Sequence, residues 1–116
     1  MSRSLRAACV LAFASLLSAC APQAPSVECA TATVVPYSQL TILSLCTSCH
    51  SSTVTGNKRQ GAPGGVNYDS YAAAKAEATS GAAQVNGGEM PPPGEAQPTA
   101  DQKTALYAWA ACGTPQ

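Results

Sequence analysis

This chain of 116 residues is short of several residue types. It has one histidine, one tryptophan, one phenylalanine and two methionines, and only 10% of its residues are charged. No apolar run approaches the roughly 20 residues of an ordinary transmembrane helix, and no segment gives a convincing strand pattern. Lys58 and Arg59 are the only adjacent basic residues. The chain therefore lacks the basic patch typical of proteins that bind nucleic acid.

Cysteine, in contrast, is abundant, with six in the chain. Two of them lie in the segment Cys46-Thr47-Ser48-Cys49-His50, which has the C-x-x-C-H pattern of c-type haem attachment. Each thiol can add across one haem vinyl group, and the adjoining histidine then becomes the proximal iron ligand. We therefore predict one haem c per chain, bound covalently by Cys46 and Cys49, with His50 as the proximal ligand.

Two other interpretations of C-x-x-C compete with haem attachment. A structural zinc site needs four ligands, usually as two separated pairs, and neighbouring Cys49 and His50 rarely bind one ion together. A thioredoxin-type redox pair would need alternating strands and helices around it. The chain offers no convincing strand run around the motif, and we rank both interpretations below haem attachment.

The N-terminus has the features of a secretory signal. Arg3 and Arg6 precede an uncharged, largely apolar run of about 13 residues, which is too short for an ordinary membrane span. The run ends in Leu17-Ser18-Ala19-Cys20, which resembles the lipobox of bacterial lipoproteins. We expect removal of residues 1–19 and lipidation of Cys20, which would place the protein in the bacterial periplasm or cell envelope. Ordinary signal cleavage after Ala19 is the alternative.

The remaining cysteines suggest a disulfide. If Cys9 leaves with the signal, Cys20 takes lipid and the C-x-x-C-H pair takes haem, only Cys29 and Cys112 are left. An oxidising compartment permits a bond between them, and this bond would join the start of the domain to its end. Two separate buried thiols are the alternative.

Beyond the signal we predict a lipidated linker over 20–28 and one all-α domain over 29–116. Residues Ala21 to Val27, with two prolines, are expected to form a short tether. The Gly-, Ser- and Asn-rich stretch 51–67 is expected to be a loop. Asp69 is the expected N-cap of the second helix, and Thr99 with Gln102 forms a capping-box pattern at the start of the third. Apolar spacing and helix propensity predict helices over residues 37–47, 69–83 and 99–111.

Met90 is the candidate for the second axial ligand of the iron. It is the only methionine that would remain after signal cleavage, and it lies between Gly88-Glu89 and three consecutive prolines. A thioether bound to haem iron stabilises the ferrous state. The alternative is a methionine that simply fills a gap in the core.

With these motifs the chain resembles the small monohaem class I cytochromes c of bacteria. The matching segments are Cys46-Thr47-Ser48-Cys49-His50, Gly88-Glu89-Met90-Pro91-Pro92 and Leu106-Tyr107-Ala108-Trp109-Ala110-Ala111-Cys112-Gly113. The resemblance implies a small cytochrome c-like fold of about three helices packed around one haem. It also implies a hydrogen bond from His50 to a loop carbonyl near a proline, with Pro63 marking the candidate region.

Together these features predict an electron carrier rather than an enzyme, because His50 and Met90 would fill both axial positions of the iron. Its expected partners are redox proteins that dock transiently through small interfaces and a membrane reached through the lipid anchor, with no nucleic acid. The main alternative is a haem-based sensor or small-ligand-binding module in which Met90 is labile. A subunit of a larger membrane oxidoreductase and a haem-free structural lipoprotein are further alternatives.

Overall fold

The computed structural model describes residues 21–116, so the predictions of a signal peptide and of lipid on Cys20 lie outside the described residues. Within the described range the chain is helical and contains no β-strand. This confirms the all-α class, whereas the cytochrome c-like arrangement around a haem stays a prediction. The α-helices of this range are α1 (Leu43–Cys46), α2 (Tyr71–Ala76), α3 (Ala78–Asn86) and α4 (Ala100–Ala111), and 3₁₀ turns occur at Tyr37–Gln39 and Gly56–Arg59.

The first predicted helix, over 37–47, is not continuous. The 3₁₀ turn Tyr37–Gln39 ends at Leu40, whose ψ of 89° leaves the helical region. Helical structure resumes only in α1, which spans four residues. Leu40 and Ile42, on either side of the β-branched Thr41, are 4% and 1% exposed. Because the helix is interrupted between Leu40 and Ile42, both side chains reach the core. Tertiary burial therefore overrides the helical periodicity.

The second predicted helix also differs from the prediction. It is divided at Glu77 into α2 and α3, and α3 continues to Asn86, beyond the predicted end at residue 83. The N-cap of α2 is Ser70, and not Asp69 as predicted. The Ser70 hydroxyl accepts a hydrogen bond from the Ala73 amide. The Asp69 carboxylate instead accepts three hydrogen bonds from Ser51 and Ser52 in the preceding loop. A long-range contact therefore takes the side chain that local sequence assigned to the cap.

Helix α4 follows the prediction closely. The Thr99 hydroxyl accepts from the Gln102 amide at 3.2 Å, and the Gln102 side chain accepts from the Thr99 amide at 2.9 Å. This is the predicted capping box, which satisfies two otherwise unpaired amides. The helix ends at Ala111, before Gly113, whose φ is +95°. The prediction of this helix is confirmed at both ends.

The core lies between α3 and α4 and the segment before α1. Trp109 of α4 is fully buried in one apolar cluster with Ile42 and Leu106. The C-terminal tail covers this cluster, because the Pro115 carbonyl accepts from the Trp109 indole at 2.8 Å and from the Tyr37 amide at 2.9 Å. The core thus connects the segment that precedes α1 with the C-terminal tail.

Both ends of the described chain are attached to this core. Cys29 and Cys112 lie at disulfide-bonding distance, with their sulfur atoms 2.02 Å apart. The segment expected to be a tether is also packed: the Asn86 side chain donates to the Gln23 carbonyl at 2.9 Å, and Pro22 lies against Gly87. These residues have no helix or strand, and the tether stays a prediction, with the end of α3 supplying these contacts.

Candidate functional site

A cavity of about 500 Å³ brings together the residues that the motifs predicted. Cys46, Cys49, His50 and Met90 all line it. Its volume falls within the roughly 300–1,000 Å³ typical of sites that enclose an organic ligand. Much of the remaining wall is apolar, and includes the side chains of Ile42, Leu45, Val66, Tyr68, Val85 and Leu106.

The C-x-x-C-H motif reaches the cavity through a hydrogen-bonded turn at the end of α1. The Cys46 carbonyl accepts from the His50 amide at 2.8 Å and from the Cys49 amide at 3.2 Å. These bonds prolong the helical path of α1 beyond Cys46. As a result, two thiols and an imidazole from five consecutive residues share one wall of the cavity.

The two motif cysteines are free thiols in this structure. Burial raises the pKa of the Cys46 thiol to about 11, and its sulfur donates a weak hydrogen bond to the Ile42 carbonyl at 3.5 Å. Cys46 is consequently neutral near pH 7. Thioredoxin-type redox pairs depend on a thiol whose pKa is lowered, so this environment does not favour the redox-pair interpretation.

His50 is oriented by a main-chain carbonyl. Its Nδ1 lies 3.1 Å from the Val66 oxygen. A carbonyl can only accept, so this hydrogen bond requires the proton on Nδ1 and leaves the lone pair of Nε2 available to a metal. The resemblance placed the acceptor near Pro63, and Val66 is three residues further along the same loop, with its own amide bonded to the Pro63 carbonyl at 3.0 Å.

Tyr68 supports the same ring from another side. Its aromatic ring meets the His50 ring edge to face, with centroids 5.6 Å apart. The Tyr68 amide also donates to the His50 carbonyl at 2.8 Å. The side chain is 8% exposed, and burial raises the pKa of its phenol far above the ordinary value. A neutral tyrosine and a backbone carbonyl therefore hold the imidazole in one orientation.

Met90 lies in the loop between α3 and α4 and is 37% exposed. Its amide donates to the Gln84 carbonyl at 3.2 Å, which attaches the loop to the last turn of α3. The peptide bond from Met90 to Pro91 is cis. Further along, the Gln97 side chain donates to the Pro91 carbonyl at 3.2 Å. These contacts fix the loop on both sides of the methionine and place its side chain at the cavity.

Sequence reasoning missed Arg59, which also lines the cavity. In the sequence it is half of a basic pair in a polar loop, yet it is 8% exposed. Its burial depends on how residues 51–67 fold around it, and no local pattern signals that. The guanidinium donates over 2.6–3.2 Å to the main-chain oxygens of Ser51, Val54, Ala62, Pro63 and Val66 and to the side-chain oxygen of Asn67.

Two other features bear on the alternatives. Within residues 21–116, no three side chains of His, Cys, Asp or Glu are grouped so that they could hold a metal ion, whereas a structural zinc site takes four such ligands. Over the same residues, no helix has the length and apolar character needed to cross a membrane.

No family model, curated protein or solved structure matches the chain.

Proposed function

We propose that the protein is a membrane-tethered electron carrier that holds one haem c, with Cys46 and Cys49 as the covalent attachment points and His50 and Met90 as the axial ligands. The observation that carries the proposal is that one apolar cavity of about 500 Å³ is lined by all four of these side chains. Three of them come from the end of α1 and the turn after it, and one comes from the loop between α3 and α4, so the fold gathers residues that are 40 or more positions apart.

The donor set fits this cofactor. Two thiols can each add across a vinyl double bond: sulfur bonds to one carbon, the thiol hydrogen goes to the other, and no oxidant is required. The Nδ1 bond to Val66 leaves Nε2 of His50 as the free nitrogen, and Met90 supplies a soft thioether. When bound, the haem would supply a one-electron ferric/ferrous couple.

The surrounding residues would shape that couple. Val66 and Tyr68 hold the imidazole, and Ile42 and Leu106 give the cavity a water-poor wall. A low-polarity site disfavours the more highly charged ferric state. With two protein ligands on the iron, substrate would have no vacant position, so electrons would pass to and from partner redox proteins at the exposed edge.

Lipid on Cys20 would keep this domain at the membrane, since several acyl chains anchor a protein far more firmly than one. The segment that follows Cys20 contacts the domain, with Gln23 bonded to Asn86. The free length of chain between lipid and domain would therefore be short. Membrane-bound redox enzymes are therefore the class of partner that the carrier would meet.

Covalent attachment is tested by Cys49→Ser, in a host that expresses the c-type maturation machinery. We expect the variant to lose most of its haem, because one of the two thioethers cannot form. Ser48→Ala is the matched control, since Ser48 lies in the same turn and occupies a variable position of the C-x-x-C-H signature. Wild-type haem content in Cys49→Ser, measured after acid-acetone extraction, would contradict the proposal.

One observation favours a second candidate function, a sensor or small-ligand-binding module. Met90 is the one large apolar side chain of the described residues that is exposed, at 37%, and an exposed axial ligand is easier to displace. Carbon monoxide binding to the ferrous protein at neutral pH distinguishes the two functions. A carrier with firm Met90 ligation binds little, whereas a sensor binds it readily.

A further inference from the structure

Arg59 is a buried cation to which no acidic side chain of residues 21–116 is hydrogen-bonded. It is 8% exposed, and all six of its acceptors are uncharged oxygens of the loop from Ser51 to Asn67. A guanidinium stays protonated at any ordinary pH, so the protein places a permanent positive charge beside the cavity. Burying an unpaired charge is costly, and neutral carbonyl dipoles offset only part of that cost. We therefore expect a role for this charge in the cavity that Arg59 lines.

The contact that links Arg59 to the site is the Val66 carbonyl. Its oxygen accepts from Nη2 of Arg59 at 3.0 Å and from Nδ1 of His50 at 3.1 Å. Arg59 also binds the carbonyl of Pro63 at 2.6 Å, at the other end of the turn that presents Val66. The guanidinium therefore fixes the position of the oxygen that orients the imidazole.

We propose that Arg59 is the positioning residue for His50, and that its charge raises the reduction potential of iron bound there. The second part rests on the proposed function, whereas the first concerns this chain's own residues. Arg59 would raise the reduction potential in two ways, through its charge and through the Val66 carbonyl. A nearby cation disfavours the more positive ferric state, and a carbonyl that already binds a guanidinium draws less strongly on the imidazole proton, which makes Nε2 a weaker donor to the ferric ion.

Three variants separate charge from geometry. Arg59→Gln removes the charge and the planar five-donor fork, whereas Arg59→Lys keeps the charge and loses the fork. Asn67→Ala is the matched control, because it removes one acceptor of Arg59 at 3.1 Å and leaves the guanidinium with its carbonyl partners. Each variant is prepared as full-length protein with the c-type maturation machinery.

The first readout is the reduction potential. At a fixed ambient potential we expect Arg59→Gln to lower the ferrous-to-ferric ratio by roughly threefold to tenfold, the scale of one charge near a partly buried site, where tenfold is about 59 mV for a one-electron couple. Arg59→Lys should keep most of the wild-type ratio, and Asn67→Ala nearly all of it. An unchanged ratio in Arg59→Gln, or an equal fall in Asn67→Ala, would overturn the charge effect.

The second readout is hydrogen exchange of the His50 Nδ1 proton by NMR. It is measured in the ferrous protein, or in the purified chain itself if that chain carries no haem. We expect exchange about tenfold faster in Arg59→Lys, as for the loss of one net hydrogen bond, and wild-type exchange in Asn67→Ala. If Arg59→Gln does not fold, Arg59→Lys alone decides, and unchanged exchange there refutes the positioning role. Absence of haem would refute the proposed function while leaving this result intact.

Discussion

Removal of the link between Cys29 and Cys112 is the perturbation whose size follows most directly from the structure. The double variant Cys29→Ser, Cys112→Ser leaves both ends of the domain in place. The tail after Cys112 keeps its hydrogen bonds from the Trp109 indole to Pro115 and from the Tyr71 hydroxyl to the Thr114 carbonyl. The native fold should therefore persist, and the change should lie mainly in the unfolded chain.

The expected magnitude comes from the size of the closed loop. The two cysteines are separated by 83 positions, and the chain-entropy relation for a loop of this size gives about 4.5 kcal/mol at 25 °C. Domains of this size are stable by only about 5–15 kcal/mol. Loss of the bond should consequently remove a large share of the free energy of unfolding and leave a marginally stable protein.

The assay is equilibrium unfolding in guanidinium chloride, followed by tryptophan fluorescence from Trp109 and by circular dichroism. The double serine variant and the wild type with its disulfide reduced should show similar losses, because reduction does not cleave thioethers. Ser44→Ala is a suitable control, since the Ser44 hydroxyl is exposed and bonds only within its own turn. A loss below about 1 kcal/mol in the double variant would refute the entropic reasoning.

Three further predictions concern Met90, Gly81 and Asp69. Met90→Ala should leave the covalent haem in place, abolish the weak far-red band of methionine bound to ferric haem iron and lower the reduction potential, as titration with spectroscopy would show; retention of that band would exclude Met90 as ligand. Gly81→Ala should destabilise despite the roughly 1 kcal/mol gain in helix propensity, because the new Cβ would clash with the Tyr68 hydroxyl; a rise in the thermal midpoint would contradict this. The pKa of Asp69 is lowered, chiefly by the Ser52 hydroxyl and amide, so its contribution to stability is present above the ordinary carboxyl pKa near 3.8 and is lost as pH falls through the lower folded value. Asp69→Asn should therefore unfold with a weaker dependence on pH below about 4 than the wild type, and parallel acid-unfolding curves would argue against it.

Features fixed by a few neighbouring residues could be predicted from the sequence. The capping box of Thr99 and Gln102 is an example, because both of its hydrogen bonds join residues three positions apart. The grouping of Cys46, Cys49 and His50 on one wall is another, since a single turn after α1 is sufficient to arrange them.

Features that depend on contacts distant in sequence could not be predicted. Asp69 is a good N-cap by residue type, but Ser51 and Ser52 bind its carboxylate and Ser70 takes the cap. The burial of Arg59 likewise needs the whole loop from Ser51 to Asn67 folded around it. In both cases the tertiary structure, and not the neighbouring sequence, determines which groups the polar side chain binds.

The packed N-terminal segment belongs to the same class. Its prolines indicate a short tether, and no local pattern in the sequence indicates that Asn86 binds the Gln23 carbonyl or that Pro22 lies against Gly87. These contacts cross more than 60 positions of the chain. Composition describes the conformational preference of such a segment but not the surface on which it lies.

The most direct test of the account is an optical spectrum of protein matured with the c-type machinery, recorded in the oxidised and reduced states. We predict covalent haem with sharp reduced bands and the far-red band of methionine ligation in the oxidised state. Covalent haem without that band would contradict an axial role for Met90 and favour the ligand-binding function. Protein that matures without haem would contradict the central claim that the cavity beside His50 is a haem site.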